Sequence, residues 1–341
     1  MSLCIGVMAS LHSEKYINQV KGCLETWVSE TSFPIYFFCG RNKTELENIP
    51  ENVSFVHYDV EDDLASATQK QWYGYRHMLK EHPETDYFLL IGSDNYVFAD
   101  RSVECLSRYS PEQKALIGGY AQCRTLERQI LFPSGGGGMV LTRAALVYLE
   151  PLIEKYIYRW ERRCRKYSAM HMLSACDVSL GDACWHADVP VIVERHFYLC
   201  SWRERLNSSA RFPVKVDQNK ICVHHYLERE EMLFYHRYRE YAKDFMRLER
   251  KYARLVPESN FIFCHIYAAT LQQELVLYYM IVNNIQKPSP RTLYIEKEDA
   301  NLSTLGAKFD IQVKVYDHEQ DKVSLSVNEN KVKSTLHISI K

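Results

Sequence analysis

The sequence predicts an α/β fold followed by a smaller C-terminal extension, and two observations indicate this class. Over residues 3–91, short apolar segments alternate with segments whose apolar residues recur at helical spacing. The segment Asp86–Ile91 is almost continuously apolar, as in a strand that is buried on both faces. Strands that alternate with helices form mostly parallel sheets, and such sheets bind ligands at the carboxyl ends of their strands.

The elements of this sheet follow one another along the first half of the chain. The predicted strands are Leu3–Met8, Ile35–Cys39, Val53–Tyr58 and Asp86–Ile91. The predicted helices are Glu14–Glu30, Asp63–Glu81, one that opens near Thr142 and one that opens at Asp177. The strand Asp86–Ile91 is the most apolar, so the residues that follow it are the first place to look for a site.

The last third of the chain has a different pattern. Residues Glu228–Leu255 contain no Gly or Pro and predict a long amphipathic helix of mixed charge. After Pro290, alternating apolar residues predict a small β meander with strands at Ile311–Val315, Val323–Val327 and Leu336–Ile340. We therefore predict one domain over residues 1–228 and an extension over residues 229–341.

Charge and hydropathy exclude several classes of partner. The 341 residues include 42 basic and 43 acidic side chains, a net charge of -1, so no general field attracts nucleic acid or an anionic membrane. No apolar run reaches the ~18 residues that a membrane span needs. The first residues read as a strand rather than a signal peptide. We predict a cytoplasmic protein; a secretory lumen is the alternative if an anchor lies outside this sequence.

The eleven cysteines are scattered along the chain. Their number is odd, and the sequence has no CxxC pair and no zinc-ligand spacing. We therefore predict free, mostly buried thiols.

Several polar or glycine-rich segments could carry chemistry, and each has a structural alternative. Asp94 follows the most apolar strand but could simply end it in a turn. The run Gly135–Gly138 lets a backbone approach a ligand closely, or forms a flexible loop; it lacks the P-loop Lys and the GxGxxG spacing. Asp177 could be a helix N-cap. The pair His224 and His225 could be one buried and one exposed imidazole.

The order of these segments resembles the Fringe-like glycosyltransferases, glycosyltransferase family 31, which include the core-1 β-1,3-galactosyltransferases. Each motif is loose, but five occur in order. The similar segments are Leu24–Trp27, Asp86–Val97, Phe132–Arg143, Cys176–Gly181 and Val223–Tyr226. The resemblance spans residues 3–228, and nothing after them looks like the family.

The resemblance implies a GT-A-like, Rossmann-like domain that binds a UDP-linked nucleotide sugar and transfers the sugar with inversion. It implies that Asp94 and His225, or His224, hold Mn²⁺ or Mg²⁺, which neutralises the leaving diphosphate. It also implies that Asp177 is the general base that takes the proton from the acceptor hydroxyl.

Further site residues are expected around this centre. Ser93, Asp94 and the backbone of Gly135, Gly136 and Gly137 would contact the donor. Trp185 and Tyr120 would form the acceptor side, although Trp185 could instead be a core residue. The expected partners are a nucleotide sugar and a glycan or glycosylated acceptor, with a homodimer through the extension as a further option.

The chain departs from the family at its acidic motif. Gly92 and Ser93 precede Asp94 where the family has a run of acidic residues, so the first carboxylate is missing. A catalytically silent binding protein or chaperone is therefore the alternative, but Asp94, Asp177 and the histidine pair together favour an enzyme. A nicotinamide-dependent oxidoreductase is disfavoured because Ala9–His12, with no GxGxxG, follows the first strand.

Overall fold

The structure is a computed structural model. It describes residues 1–63, 66–119, 121–126, 128–201, 220–241, 291–295, 300–308 and 311–315, with Asp244, Arg247, Leu248 and Lys251. The chain forms two compact units, Met1–Leu233 and Phe234–Lys341.

A seven-stranded sheet forms the centre of the first unit, in the order β10-β6-β9-β4-β1-β2-β3. Its strands are β1 (Leu3–Met8), β2 (Ile35–Cys39), β3 (Val53–His57), β4 (Tyr87–Gly92), β6 (Leu116–Gly118), β9 (Met139–Thr142) and β10 (Val191–Val193). Only β9 runs against its neighbours, β4 and β6; the other pairs are parallel. The predicted α/β class with a mostly parallel sheet is confirmed.

Two short antiparallel pairs lie beside this sheet. Strand β5 (Tyr96–Val97) pairs with β11 (Val223–His224), and β7 (Ala121–Thr125) pairs with β8 (Gln129–Pro133). The first pair matters for function because it brings the histidine segment next to the residues that follow β4.

Helices cover the sheet and complete the core. They are α1 (Glu14–Leu24), α2 (Ala67–Glu81), α3 (Ala99–Leu106), α4 (Arg143–Leu149), α5 (Ile153–Lys166) and α6 (Cys176–His186). Phe88 and Leu90 of β4 pack in one buried cluster with Trp72 and Tyr75 of α2. Full burial of such a side chain contributes about 1.5–3 kcal/mol, so this face holds the sheet and α2 together. Among the described residues, no helix has both the length and the apolar character to cross a bilayer.

The first helix is shorter than predicted. It ends at Leu24, and a 3-10 turn covers Trp27–Glu30. Thr26 leaves the helical region at φ −126° and ψ −110°, and its hydroxyl donates to the Gly22 carbonyl at 2.6 Å. The Trp27 indole then donates to the Asn95 carbonyl at 3.0 Å. The apolar periodicity of the sequence continues beyond Leu24, but the tertiary hydrogen bond of Trp27 determines the backbone conformation there.

The predicted long helix is interrupted after Tyr238. Arg229–Tyr238 is α-helical, and a 3-10 turn, Arg239–Tyr241, follows it. Helical conformation resumes at Asp244, Arg247, Leu248 and Lys251, and the remaining residues of the predicted helix lie outside the described part of the chain.

The second unit contains a β-α-β unit. Strands β12 (Arg291–Ile295) and β13 (Ile311–Val315) pair in parallel, and the helix Ala300–Ala307 lies between them in the chain. The predicted strand at Ile311–Val315 is confirmed, and among the described residues it pairs in parallel with β12, a strand that the sequence did not predict. A parallel pair requires such a crossover. The other two predicted meander strands lie outside the described residues.

The ten cysteines within the described part of the chain are free, and most are buried, as predicted. Cys264 lies outside the described residues.

Candidate active site

Three segments that are distant in sequence meet at one edge of the sheet. Asp94 follows the carboxyl end of β4. The turn Gly135–Gly137 precedes β9, which is antiparallel to β4 and therefore begins at the same edge. His225 follows β11, which pairs with β5 just after Asp94. The sheet thus assembles most of the predicted site residues.

The Asn95 side chain forms hydrogen bonds with all three segments. Its side chain is fully buried. The Oδ1 atom accepts from the Gly92 N–H at 2.9 Å, and Nδ2 donates to the carbonyls of Gly136 at 2.7 Å and His224 at 3.2 Å. The sequence analysis gave Asn95 no role, because one amide in a turn carries no spacing signal.

Asp94 and His225 form a pair at the centre of the site. The Nε2 atom of His225 lies 3.2 Å from Oδ2 of Asp94. On the other side of the ring, Nδ1 lies 3.1 Å from the Leu199 carbonyl. Donation to that carbonyl places the proton on Nδ1, so in the neutral imidazole the lone pair of Nε2 faces Asp94.

This pair fits a divalent cation. Two ligands that each stand about 2.1 Å from an ion, at a right angle, are about 3 Å apart. A histidine ligand commonly donates its other ring N–H to a carbonyl, as His225 does to Leu199. A carboxylate oxygen and an imidazole nitrogen are both ligands that divalent cations use in proteins.

His224 lies in a different environment. Its side chain is buried, and its ring makes edge contacts with the rings of Phe98 and Tyr198 at centroid distances of 6.3 and 6.1 Å. The sequence left open which histidine faces the metal. The structure brings His225 to Asp94, and His224 into an aromatic setting.

The glycine turn lies between this pair and Asp177. The Gly135 N–H donates to Oδ2 of Asp177 at 3.1 Å. A Cβ atom on Gly136 would overlap the His225 ring, and Gly138 has a φ of +91°. These glycines make room for protein groups and a left-handed backbone. Contact of Gly135–Gly137 with a donor stays a prediction.

Asp177 is a half-buried carboxyl in the first turn of α6. Its Oδ1 accepts from the Val178 N–H at 2.8 Å. Burial raises the pKa of Asp177 above its ordinary value, although the N–H groups of Gly135 and Val178 lower it. A raised pKa makes the carboxylate a stronger base, as a general base requires. Ala175, rather than Asp177, is the N-cap of α6.

The Ser93 side chain makes its hydrogen bond within the protein. Its hydroxyl donates to Oε1 of Gln19 at 3.1 Å, and Nε2 of Gln19 donates to Glu228 at 3.3 Å. A Cβ atom on Gly92 would lie 2.6 Å from Oδ1 of Asp94. The Asp94 carboxylate therefore occupies the space over Gly92, where the family has another acidic residue.

Of the two predicted acceptor residues, the structure describes Trp185. Trp185 lies on α6 and is 57% exposed, and the Arg128 guanidinium stands 3.5 Å from the centre of its ring. Arg128 also donates to Oδ1 of Asp182 at 2.6 Å, which fixes it over the indole. Tyr120 lies outside the described residues.

Asp62 also joins segments at this edge of the sheet, and its role was not predicted from the sequence. Its Oδ2 accepts from the Leu11 N–H at 2.9 Å, and its Oδ1 accepts from the Gly40 N–H at 2.9 Å and the Lys70 ammonium at 3.1 Å. Burial opposes ionisation, but these donors lower the pKa of Asp62 overall. Asp62 thereby joins the segments that follow β1 and β2.

Comparison with known proteins now identifies the family. A family model described as Fringe-like matches residues 7–259, well over half of the chain. One similar solved structure is described as a glycosyltransferase involved in the glycosylation of the major capsid of PBCV-1. It is 14% identical, covers 70% of this chain and 99% of its own, and has a TM-score of 0.37, which adds nothing to the assignment. No curated protein matches the chain. The chain therefore belongs to the Fringe-like family of glycosyltransferases.

Proposed function

We propose that this protein is an inverting, metal-dependent glycosyltransferase that moves a hexosyl or pentosyl group from a UDP-sugar to a hydroxyl of a glycan or glycosylated acceptor. Family membership supports glycosyl transfer in general. The observation that carries the finer proposal is the glycine turn, which contacts Asp177 on one side and His225, paired with Asp94, on the other.

The reaction is a single displacement. Asp177 accepts the proton of the acceptor hydroxyl while that oxygen forms a bond to the anomeric carbon of the donor. The bond from that carbon to the diphosphate breaks, and its electron pair leaves with the diphosphate. Attack from the face opposite the nucleotide inverts the anomeric configuration. Manganese or magnesium held by Asp94 and His225 would supply positive charge to the leaving group.

The remaining site residues would bind the two substrates. The backbone of Gly135–Gly137 and the Ser93–Asp94 segment would contact the donor. Trp185 would provide an aromatic wall for the acceptor sugar, together with Tyr120. Because Arg128 covers one face of the Trp185 ring, a sugar would stack on the other face or displace the guanidinium.

The Asp177→Asn substitution tests the base. Asparagine preserves the size of the side chain but cannot accept the proton, so we expect transfer to fall by at least ~10²-fold with donor affinity nearly unchanged. Asp188→Asn is the matched control, because Asp188 is exposed and Asn tolerates its φ of 52°. Equal transfer by Asp177→Asn and the wild type would rule out the assignment.

The pH dependence provides a second test of Asp177. A base works only when deprotonated, and burial raises the pKa of this carboxyl. As the pH falls, transfer should therefore begin to decline at a higher pH than it would if the base were an ordinary carboxyl with a pKa of about 3.9. The Asp177→Asn protein should lack this acid limb. An acid limb of the same midpoint in both proteins would assign it to another group.

Gly92 supports one alternative function, a catalytically silent binding protein or chaperone, because this position lacks the family's carboxylate. A thermal shift with UDP or GDP, with and without manganese, separates the two. The enzyme should be stabilised by a nucleotide in a manganese-dependent way, whereas a pure chaperone should respond to neither. Transfer and hydrolysis assays across a panel of nucleotide sugars would then identify the donor.

A further inference from the structure

We propose that Cys105, Glu194 and His196 form a zinc site, separate from the Asp94 and His225 pair. One ligand atom from each of the first three residues lies within 4.8 Å of the other two. The proposal concerns different residues from those of the proposed transfer reaction and does not depend on it.

The three ligand atoms surround one point. Nδ1 of His196 lies 3.9 Å from Sγ of Cys105 and is hydrogen-bonded to Oε1 of Glu194 at 2.6 Å. Around tetrahedral zinc, a sulfur ligand at about 2.3 Å and a nitrogen ligand at about 2.0 Å stand about 3.5 Å apart, and a nitrogen and an oxygen ligand stand about 3.3 Å apart. Zinc would therefore draw Cys105 closer by a few tenths of an ångström and replace the hydrogen bond between His196 and Glu194, whose atoms would separate by about 0.7 Å.

Cys222 lies beside this group of ligands. Its thiol donates to the carbonyls of Arg101 at 3.5 Å and Lys220 at 3.6 Å. The Cys222 backbone N–H donates to the His196 carbonyl at 2.7 Å, which holds the two segments side by side. A sulfur ligand, an imidazole and a carboxylate together favour zinc over manganese or magnesium, which prefer oxygen.

The surroundings of Glu194 orient its carboxylate. Oε2 accepts from Nη2 of Arg108 at 2.5 Å and from the Tyr109 hydroxyl at 2.9 Å. These two donors hold one oxygen and leave Oε1 directed at His196, as outer-shell partners do in metal sites. Glu194 is 4% exposed and Cys105 is 7% exposed, so an ion here would be shielded from water.

An ion at this site would brace the segment that positions His225. Glu194 and His196 begin the loop whose carbonyls at Leu199 and Cys200 accept from Nδ1 and N–H of His225. Cys222 immediately precedes β11, which leads into His225. The site would thus have a structural role, joining α3, the loop after β10 and β11.

The test uses the full-length protein, prepared without chelators and loaded with zinc or cobalt alone. We expect one zinc per chain, and a cysteine-to-cobalt charge-transfer band in the near ultraviolet. Loss of an outer-shell partner typically weakens metal binding by about 10- to 100-fold. Cys105→Ser and His196→Gln each remove a ligand and should weaken zinc binding by more than this.

Two control variants sharpen this result. Cys123→Ser removes an exposed thiol from another part of the fold and should keep both the zinc and the band. Asp94→Ala should also keep the band, because an ion held by Asp94 and His225 has no sulfur ligand.

The rival interpretation is a network in which Arg108 alone balances the charge of Glu194, with Nη2 3.0 Å from Sγ of Cys105. Absence of bound zinc and of the cobalt band in the wild type would overturn our proposal, as would a Cys105–Cys222 disulfide found by mass spectrometry. If the variants fail to fold, thiol labelling of the wild type decides: zinc should slow modification of Cys105, and an unchanged rate would refute the site.

Discussion

Asn95 organises the candidate site although it has no chemistry to perform. Its one side chain satisfies the Gly92 N–H and the carbonyls of Gly136 and His224. A buried amide that pairs with three segments holds them in one register, because each bond left unmade would expose an unpaired backbone group. Preorganisation of the site therefore depends on a residue that neither binds metal nor accepts a proton.

We expect Asn95→Ala to lower the free energy of unfolding by about 1–3 kcal/mol for each buried group left unpaired. It should also weaken manganese-linked nucleotide binding, because Gly136 and His224 lose their common anchor. Asn52→Ala is the control: Asn52 donates to the carbonyls of Thr31 and Phe33 at 2.9 and 2.8 Å, away from the site. It should lower the melting temperature alone; equal effects of both variants on nucleotide binding would contradict a positioning role.

The Asp94 and His225 pair gives the second prediction at this scale. Asp94→Ala and His225→Ala should each abolish the manganese dependence of nucleotide binding, measured by titration calorimetry, because each removes one of two facing ligand atoms. His171→Ala, an exposed histidine in a 3-10 turn, should leave it unchanged. Unaltered metal-linked affinity in both site variants would place the ion elsewhere.

At the scale of elements, the turn Gly135–Gly137 couples the two halves of the site. Its first residue donates to Asp177, and its second lies against the His225 ring. Side chains at these positions would meet the two functional groups separately, so the turn offers a matched pair of substitutions.

Gly136→Ala should displace the His225 ring and lower manganese-linked nucleotide affinity by at least about 10-fold, the scale of a disturbed outer shell. Gly135→Ala places its Cβ atom 3.3 Å from Cβ of Asp177, a tight contact that requires a small shift. This variant should lower the transfer rate with little effect on the metal. Steady-state kinetics and metal titrations of both variants measure these two effects. If Gly135→Ala lowered the metal-linked affinity and Gly136→Ala lowered only the transfer rate, the turn would not separate the two functions.

At the scale of the whole molecule, the helix Arg229–Tyr238 spans the boundary between the compact units. Within the first unit, Arg229 pairs with Glu25 at 2.8 Å, and Met232 lies against Gly22 of α1. The start of this helix therefore covers α1. From the sequence we predict that residues 229–341 dock on the domain of residues 1–228, or on a second copy of the chain, and hold the acceptor side of the cleft in place.

Two truncations separate these contributions. A chain that ends at Leu227 uncovers α1 and should be insoluble or lose transfer, while any folded protein that survives still binds nucleotide. A chain that ends at Tyr241 keeps the contacts of Arg229 and Met232, so any loss of transfer in it reports on the extension. Solubility, transfer and nucleotide binding are measured on both. A soluble chain ending at Leu227 with full transfer would make the extension an independent partner-binding module.

The sequence by itself determined the α/β class and most sheet strands, because buried strands and amphipathic helices have local periodicity. Strand β1 was predicted at its observed bounds, Leu3–Met8. The order of motifs also identified the family. The parallel pairing of β12 and β13 could not be predicted, because a strand's own residues do not specify its partner.

Only the tertiary structure decided how the site is assembled. It selected His225 over His224 as the neighbour of Asp94, because consecutive residues around β11 point to opposite sides. It assigned Asn95 its role, and it brought Cys105 to His196, residues separated by 91 positions. Such contacts depend on which strand ends and loops the fold brings together, and this cannot be read from the local pattern of residues along the chain.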